Sequence, residues 1–208
     1  MKLFINDSSS GNFPFSSSDI VPETPEWRQD TIAIDFNNDN INDLVVTQTD
    51  EDKIKLLLND GNAFFVDNGT FPVGNKPLKL ISGDWNDDNQ TDLVVVNRDN
   101  SSLSVFQNII GVFFISQILQ SDEQPIKVAT GDWDNDNDID FAVLSRVNSL
   151  IQIFLNSGNG FFNSQVKTIT VGSLPTDLIS GDWNCDSILD LAASNYGNAS
   201  ISLLYGNS

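Results

Sequence analysis

The chain has 208 residues, 39% of them apolar, with 29 Asp and Glu against 10 Lys and Arg, no histidine and one cysteine, Cys185. That inventory excludes Ser–His and Cys–His catalysis, imidazole metal sites, internal disulfides and thiolate zinc cages. The net charge of −19 disfavours nucleic acid and anionic membrane surfaces as partners.

No apolar run approaches the ~20 residues of a membrane span, so no membrane insertion is expected. The N-terminal run Met1-Lys2-Leu3-Phe4-Ile5 turns polar too soon for the apolar core of about 7–15 residues in a signal peptide. An exported form would draw its signal from a longer chain. Only four acids are Glu and 25 are Asp, a residue that favours turns over helices, so many structured loops are expected.

In chain order, Lys2–Asn6 reads as a strand and residues 12–15 begin another. The Ser- and Pro-rich stretch 8–25 reads as an extended loop, with a partner-specific insertion as the sharper reading. From there the chain repeats. The segments IDFNNDNINDLVV, GDWNDDNQTDLVV, GDWDNDNDIDFAV and GDWNCDSILDLAA begin their acidic loops at Asp35, Asp84, Asp132 and Asp182, spaced by 49, 48 and 50 residues. Pro77, Pro125 and Pro175 stand seven residues upstream, with Arg28 in the first copy. Apolar stretches ending near Asn59, Asn108, Asn156 and Gly206 follow, then the pairs Phe64-Phe65, Phe113-Phe114 and Phe161-Phe162.

A typical unit predicts strands at Pro77–Gly83, Asp92–Asn97, 103–108 and 112–119, because short β-branched runs are broken by Asn, Gly and Ser within about ten residues. Four short strands per 40–50 residues indicate an all-β chain: a β-propeller of four-stranded antiparallel blades, about four repeat units within one domain over 1–208. The chain ends after another third strand, 201–205, so it starts and stops near one phase of the repeat. A four-bladed ring and an arc of a larger propeller are both compatible with this, and an incomplete ring could close by homo-oligomerising.

Within each loop (35–43, 84–92, 132–140, 182–190) side-chain oxygens fall at positions 1, 3, 5 and 9. They are Asp35, Asn37, Asp39 and Asp43; Asp84, Asn86, Asp88 and Asp92; Asp132, Asp134, Asp136 and Asp140; Asp182, Asn184, Asp186 and Asp190. Position 7, occupied by Ile41, Gln90, Asp138 and Ile188, offers a backbone carbonyl. A hard, all-oxygen shell of this kind suits Ca²⁺ better than Mg²⁺, giving up to four ions. An EF-hand fails, since position 12 is Val46, Val95, Val143 or Ala193 in an apolar strand, where that motif needs Glu. The alternative is a set of Asx-turns without metal, which must tolerate the mutual repulsion of three or four carboxylates.

The acidic core D-x-[DN]-x-D-x-x-x-D followed by an apolar strand resembles the FG-GAP/VCBS repeats of integrin alpha-subunit ectodomains, many extracellular proteins and some lectins. The resemblance covers essentially the whole chain. It implies Ca²⁺ held between the two inner strands of each blade by the residues named above. It departs in lacking glycine at loop position 6, where Asn40, Asn89, Asn137 and Ser187 stand, and in supplying about four units where the family usually closes seven blades. Trp85, Trp133, Trp183 and the equivalent Phe36 read as inter-blade packing, with a sugar-stacking platform as the rival. Cys185 takes a free loop position. Close carboxylate pairs could suggest a glycosidase, but each belongs to a repeated loop, so no enzyme activity is expected. The expected function is a calcium-stabilised extracellular or cell-surface module for recognition and adhesion, binding a protein or glycan. The alternatives are a lectin-like propeller and an accessory domain of a secreted hydrolase.

Overall fold

The computed structural model describes residues 2–6, 15–19, 29–62, 64–163 and 167–206. The described secondary structure is entirely β. Strands β1 (Lys2–Asn6) and β2 (Phe15–Asp19) form an antiparallel hairpin, Phe15 opposite Asn6 and Asp19 opposite Lys2. β2 thus falls inside the stretch expected as loop. Pairing with the apolar β1 overrides the weak strand preference of its serines. The remainder of 8–25, and Arg28, lie outside the described residues.

Blade one comprises β3 (Thr31–Ile34), β4 (Asp43–Gln48), β5 (Lys53–Asn59) and β6 (Phe65–Pro72). Blade two comprises β7 (Pro77–Gly83), β8 (Asp92–Asn97), β9 (Ser102–Asn108) and β10 (Phe113–Gln120). Blade three comprises β11 (Pro125–Gly131), β12 (Asp140–Ser145), β13 (Leu150–Phe154) and β14 (Lys167–Thr170). All three are antiparallel meanders in sequence order. Blade four has three described strands, β15 (Pro175–Gly181), β16 (Asp190–Asn195) and β17 (Ser200–Leu204), the last of them the third strand expected near 201–205.

The repeated proline opens β7, β11 and β15, where a missing N–H costs least, and a register shift follows it each time. The second strands are covered on both faces, which explains why β8 reads as an apolar run instead of an alternation. Leu93, Val94, Val95 and Val96 are all fully buried. Leu93 and Val95 pack toward blade one, with Phe36, Ile54 and Leu56. Val94 turns the other way, toward Phe141 and Val143 of blade three. The hydrophobic core therefore lies between blades, in three successive layers, the last joining Leu144, Ile151 and Ile153 to Leu178, Leu191 and Ala193.

Neighbouring blades meet through their first strands, β3 against β7, β7 against β11 and β11 against β15. Among the described residues no comparable packing joins blade four to blade one, so the sheets form an open arc. The consequence is visible on blade four. Ile201 and Leu203 are 71% and 51% exposed, while their counterparts Leu103, Val105, Ile151 and Ile153 are buried.

Candidate metal loops

Each acidic loop joins the first strand of its blade to the second and is built from one set of hydrogen bonds. The position-1 carboxylate accepts from the position-6 amide: Asn40 to Asp35 at 2.8 Å, Asn89 to Asp84 at 2.8 Å, Asn137 to Asp132 at 2.9 Å, Ser187 to Asp182 at 3.0 Å. The position-5 carboxylate accepts from the position-7 amide, so Ile41, Gln90, Asp138 and Ile188 donate to Asp39, Asp88, Asp136 and Asp186 at 2.8–2.9 Å. Positions 4 and 6 are left-handed throughout: Asn38 and Asn40, Asp87 and Asn89, Asn135 and Asn137, Cys185 and Ser187 all have φ between 57° and 74°. Asn and Asp tolerate this conformation, which accounts for six of the eight residues and leaves Cys185 and Ser187 as the exceptions. Position 4, read from sequence as free, is thus a conformational requirement. Its signal was the Asn or Asp in three copies.

The position-9 aspartates are buried latches. Asp43, Asp92, Asp140 and Asp190 are at most 1% exposed. One oxygen accepts from the position-2 amide (Phe36, Trp85, Trp133, Trp183) at 2.8–3.1 Å. The other accepts from the amide at the end of the third strand (Asn59, Asn108, Asn156, Gly206) at 2.8–2.9 Å. Burial pushes Asp92 and Asp140 up to about 6, against these amide bonds, and raises Asp43 in the same direction. The charged form is held at a cost that a cation would offset.

Position 3 separates the loops. In three of them an amide approaches the position-5 carboxylate: Asn37 to Asp39 at 2.9 Å, Asn86 to Asp88 at 3.1 Å, Asn184 to Asp186 at 2.8 Å. In the third, Asp134 stands there instead, and oxygens of Asp132, Asp134 and Asp136 lie within 4.8 Å of one another. Desolvation, then the Asp136 charge, raises the Asp134 carboxyl. Asp138 is raised by desolvation and by Asp136 and Asp87. Oxygens sharing a Ca²⁺ at about 2.4 Å can be no farther apart than about 4.8 Å, so this cluster has the right donors at the right spacing for that ion. Each latch oxygen keeps a second lone pair for a cation. The residues present fit Ca²⁺.

Sequence reading missed the asparagines that wire loops one and two to the next blade. Asn108 Nδ2 donates to the Phe36 carbonyl at 2.8 Å, and Asn156 Nδ2 to the Trp85 carbonyl at 2.9 Å. Their signal was present, since Asn59, Asn108 and Asn156 each stand 24 residues after the first aspartate. The aromatic residue at position 2 follows the same connection. Phe36 packs at 4.7 Å from Phe113, and Trp85 at 5.0 Å from Phe141, both rings buried between blades as expected. Trp133 is half-buried and Trp183 is 43% exposed, because among the described residues no further blade covers blade four. Cys185 is exposed and free.

Solved structures resemble the whole arc. They include BBS1N in complex with ARL6DN (16% identity, 92% of this chain and 56% of that one, TM-score 0.60) and the periplasmic gluconolactonase of Pseudomonas aeruginosa (14%, 98% and 50%, 0.60). An Agrocybe aegerita lectin that recognises non-reducing terminal N-acetylglucosamine also matches (16%, 84% and 51%, 0.54). At such identities the likeness shows the propeller fold alone, and the chain spans about half the length of each. The sequence matches no curated protein. The family model of the FG-GAP-like repeat matches residues 35–95, 84–143 and 132–193, each match opening on the first aspartate of a loop. Repeated three times over most of its length, that pattern makes the chain a member of the FG-GAP-like repeat family.

Proposed function

We propose that the chain is a calcium-stabilised, non-enzymatic recognition and adhesion module that works outside the cell or at its surface, binding a protein or glycan partner. The observation that carries the calcium reading is the convergence of Asp132, Asp134 and Asp136 within 4.8 Å in a loop whose hydrogen bonds recur in the other three. Asp, Asn and the position-7 carbonyl would hold the ion in each loop. Its charge would neutralise the carboxylates and fix the first strand of the blade to the second. Four ions would supply +8, moving the net charge from −19 to −11. Affinities of about 10⁻⁴–10⁻³ M are typical of extracellular sites.

Calorimetric titration tests the reading. Wild type takes up to four equivalents, Asp136→Ala loses one, and EDTA lowers the melting temperature by several degrees. Unchanged melting in EDTA would remove calcium from the account. Partner binding is supported by neighbours that include a protein complex and a lectin recognising N-acetylglucosamine. A lectin-like reading draws on exposed Trp183, and is tested by glycan-array binding that disappears with Trp183→Ala. An accessory role beside a secreted hydrolase would place the chemistry outside this chain, and hydrolytic activity of these 208 residues would refute the non-enzymatic reading.

A further inference from the structure

The outermost strand of a blade is an edge strand, and blades one and three protect theirs. β6 carries Asp67, Gly69 and Pro72, with Asp67 held by Lys55 at 2.7 Å, and β14 opens on Lys167. β10 of blade two carries no charge, proline or glycine over its eight residues, Phe113–Gln120. No charged residue stands anywhere between Asp99 and Asp122. Among the described residues β10 pairs with β9 alone. Neighbouring blades pack through their faces and first strands, so this outward edge does not depend on where the chain begins or ends.

The side chains along the edge are apolar and exposed. Phe113 and Leu119 are buried, but Phe114, Ile115 and Ile118 face solvent, Ile118 being 57% exposed. A register shift between Ile115 and Gln117 sets Ile115 opposite Phe106 and Ile118 opposite Ser104. Phe106 and Ser104 stand two apart on β9 and share a face, so the bulge brings Ile115 and Ile118 to one face of the sheet. The hairpin tip extends this apolar strip. Ile109, Ile110 and Val112 are exposed, and Ile110 holds φ 51° where blades one and three place Gly61 at 84° and Gly158 at 79°. A β-branched residue is costly in that conformation, and Ile110, 85% exposed, gains little packing within this chain to offset it.

We propose that the outer edge of β10 is a dimerisation surface for a second copy of this chain. Two β10 strands pair antiparallel about a two-fold axis normal to the sheet, joining two four-stranded blades into one sheet of eight strands. Such an axis keeps like faces together, so Ile115 and Ile118 of one copy meet Ile118 and Ile115 of the other. That self-complementarity is what an isologous contact requires, and it selects a second copy as the occupant. Charge points the same way. Chains of net charge −19 repel one another, and an uncharged edge is where two of them approach with least penalty. The antiparallel order also lays the apolar tip of each copy beside the far end of β10 in the other. None of these residues is a proposed metal ligand.

Sedimentation velocity of the 208-residue chain in millimolar calcium, from micromolar to submillimolar protein, tests the contact. A reversible monomer–dimer equilibrium is expected, and it should strengthen with added sodium chloride, which screens the repulsion between like-charged chains. Ile118→Lys places a charge on the edge and should raise the dimer dissociation constant about tenfold or more, with the melting temperature of the dilute protein unchanged. Ile115→Lys repeats the test should the first variant melt abnormally. Hydrogen exchange over residues 112–120 should slow as the protein is concentrated, the signature of new main-chain bonds along β10. Ile201→Lys, on the exposed face of blade four, should leave the dimer intact. A monomer at every concentration overturns the proposal. So does a dimer that survives both β10 variants but is lost with Ile201→Lys, which would join blade faces instead. A dimer that weakens with salt would assign the contact to charged groups and overturn it equally.

Discussion

Replacing Asp134 with Asn gives loop three the residue found at its position in the other loops, and its effect should depend on calcium. Without the cation, oxygens of Asp134 and Asp136 lie within 4.8 Å, and two unit charges at that distance in a water-like medium repel by about 1 kcal/mol. The amide also supplies a donor like that of Asn86 to Asp88, worth about 0.5–1 kcal/mol net. Asp134→Asn should therefore stabilise the metal-free protein by about 1–2 kcal/mol, which for a chain of this size raises the melting temperature by about 2–8 °C in EDTA. Calcium adds a term of the opposite sign. A shell with one fewer formal charge binds more weakly, and a tenfold loss of affinity removes about 1 kcal/mol of ligand stabilisation at saturation. The gain seen in EDTA should thus shrink toward zero in 10 mM calcium. Paired melts of wild type and variant in the two buffers measure the difference directly. An equal gain in both would show that the cluster does not hold the ion.

The inter-blade asparagines should separate by location. Asn156→Ala strands the buried Trp85 carbonyl and costs about 1–3 kcal/mol in urea melts, whereas Asn59→Ala, whose side chain donates to the Asn42 carbonyl and accepts from the Gly61 amide, both exposed, costs less than about 0.5 kcal/mol. Equal costs would deny the asparagine its role in joining blades. In EDTA, stability should rise as pH falls from 7 toward 5. Asp92 and Asp140 take up protons near 6 in the folded protein, above the 3.8 of an unperturbed aspartate, so the protonated form favours folding and that advantage is lost as pH rises through 6. A metal-free protein that weakens over the same interval contradicts the buried-latch account. Ser187→Gly relieves a left-handed backbone at φ 69° and should stabilise loop four by about 0.5–1 kcal/mol. A lower melting temperature would mean that the Ser187 side chain contributes something the glycine cannot replace.

Much of this molecule is written along its chain. The 48–50-residue period, the loop pattern ending at Asp43, Asp92, Asp140 and Asp190, and the strands Pro77–Gly83 and Asp92–Asn97 follow from local rules of turn chemistry and β-branched runs. Those rules act within a few residues and repeat four times, so one unit checks another. Three features needed the assembled blades. The open arc depends on the angle accumulated from blade to blade, which no single repeat specifies. The bonds from Asn108 to the Phe36 carbonyl and from Asn156 to the Trp85 carbonyl span about seventy residues, so their partners are invisible in the local pattern. Identical residues also acquire different surroundings. Trp85 is buried and Trp183 is exposed because a following blade covers one and not the other. Sequence determines what each repeat can form, and the stacking of repeats decides which of its surfaces is core and which is exposed.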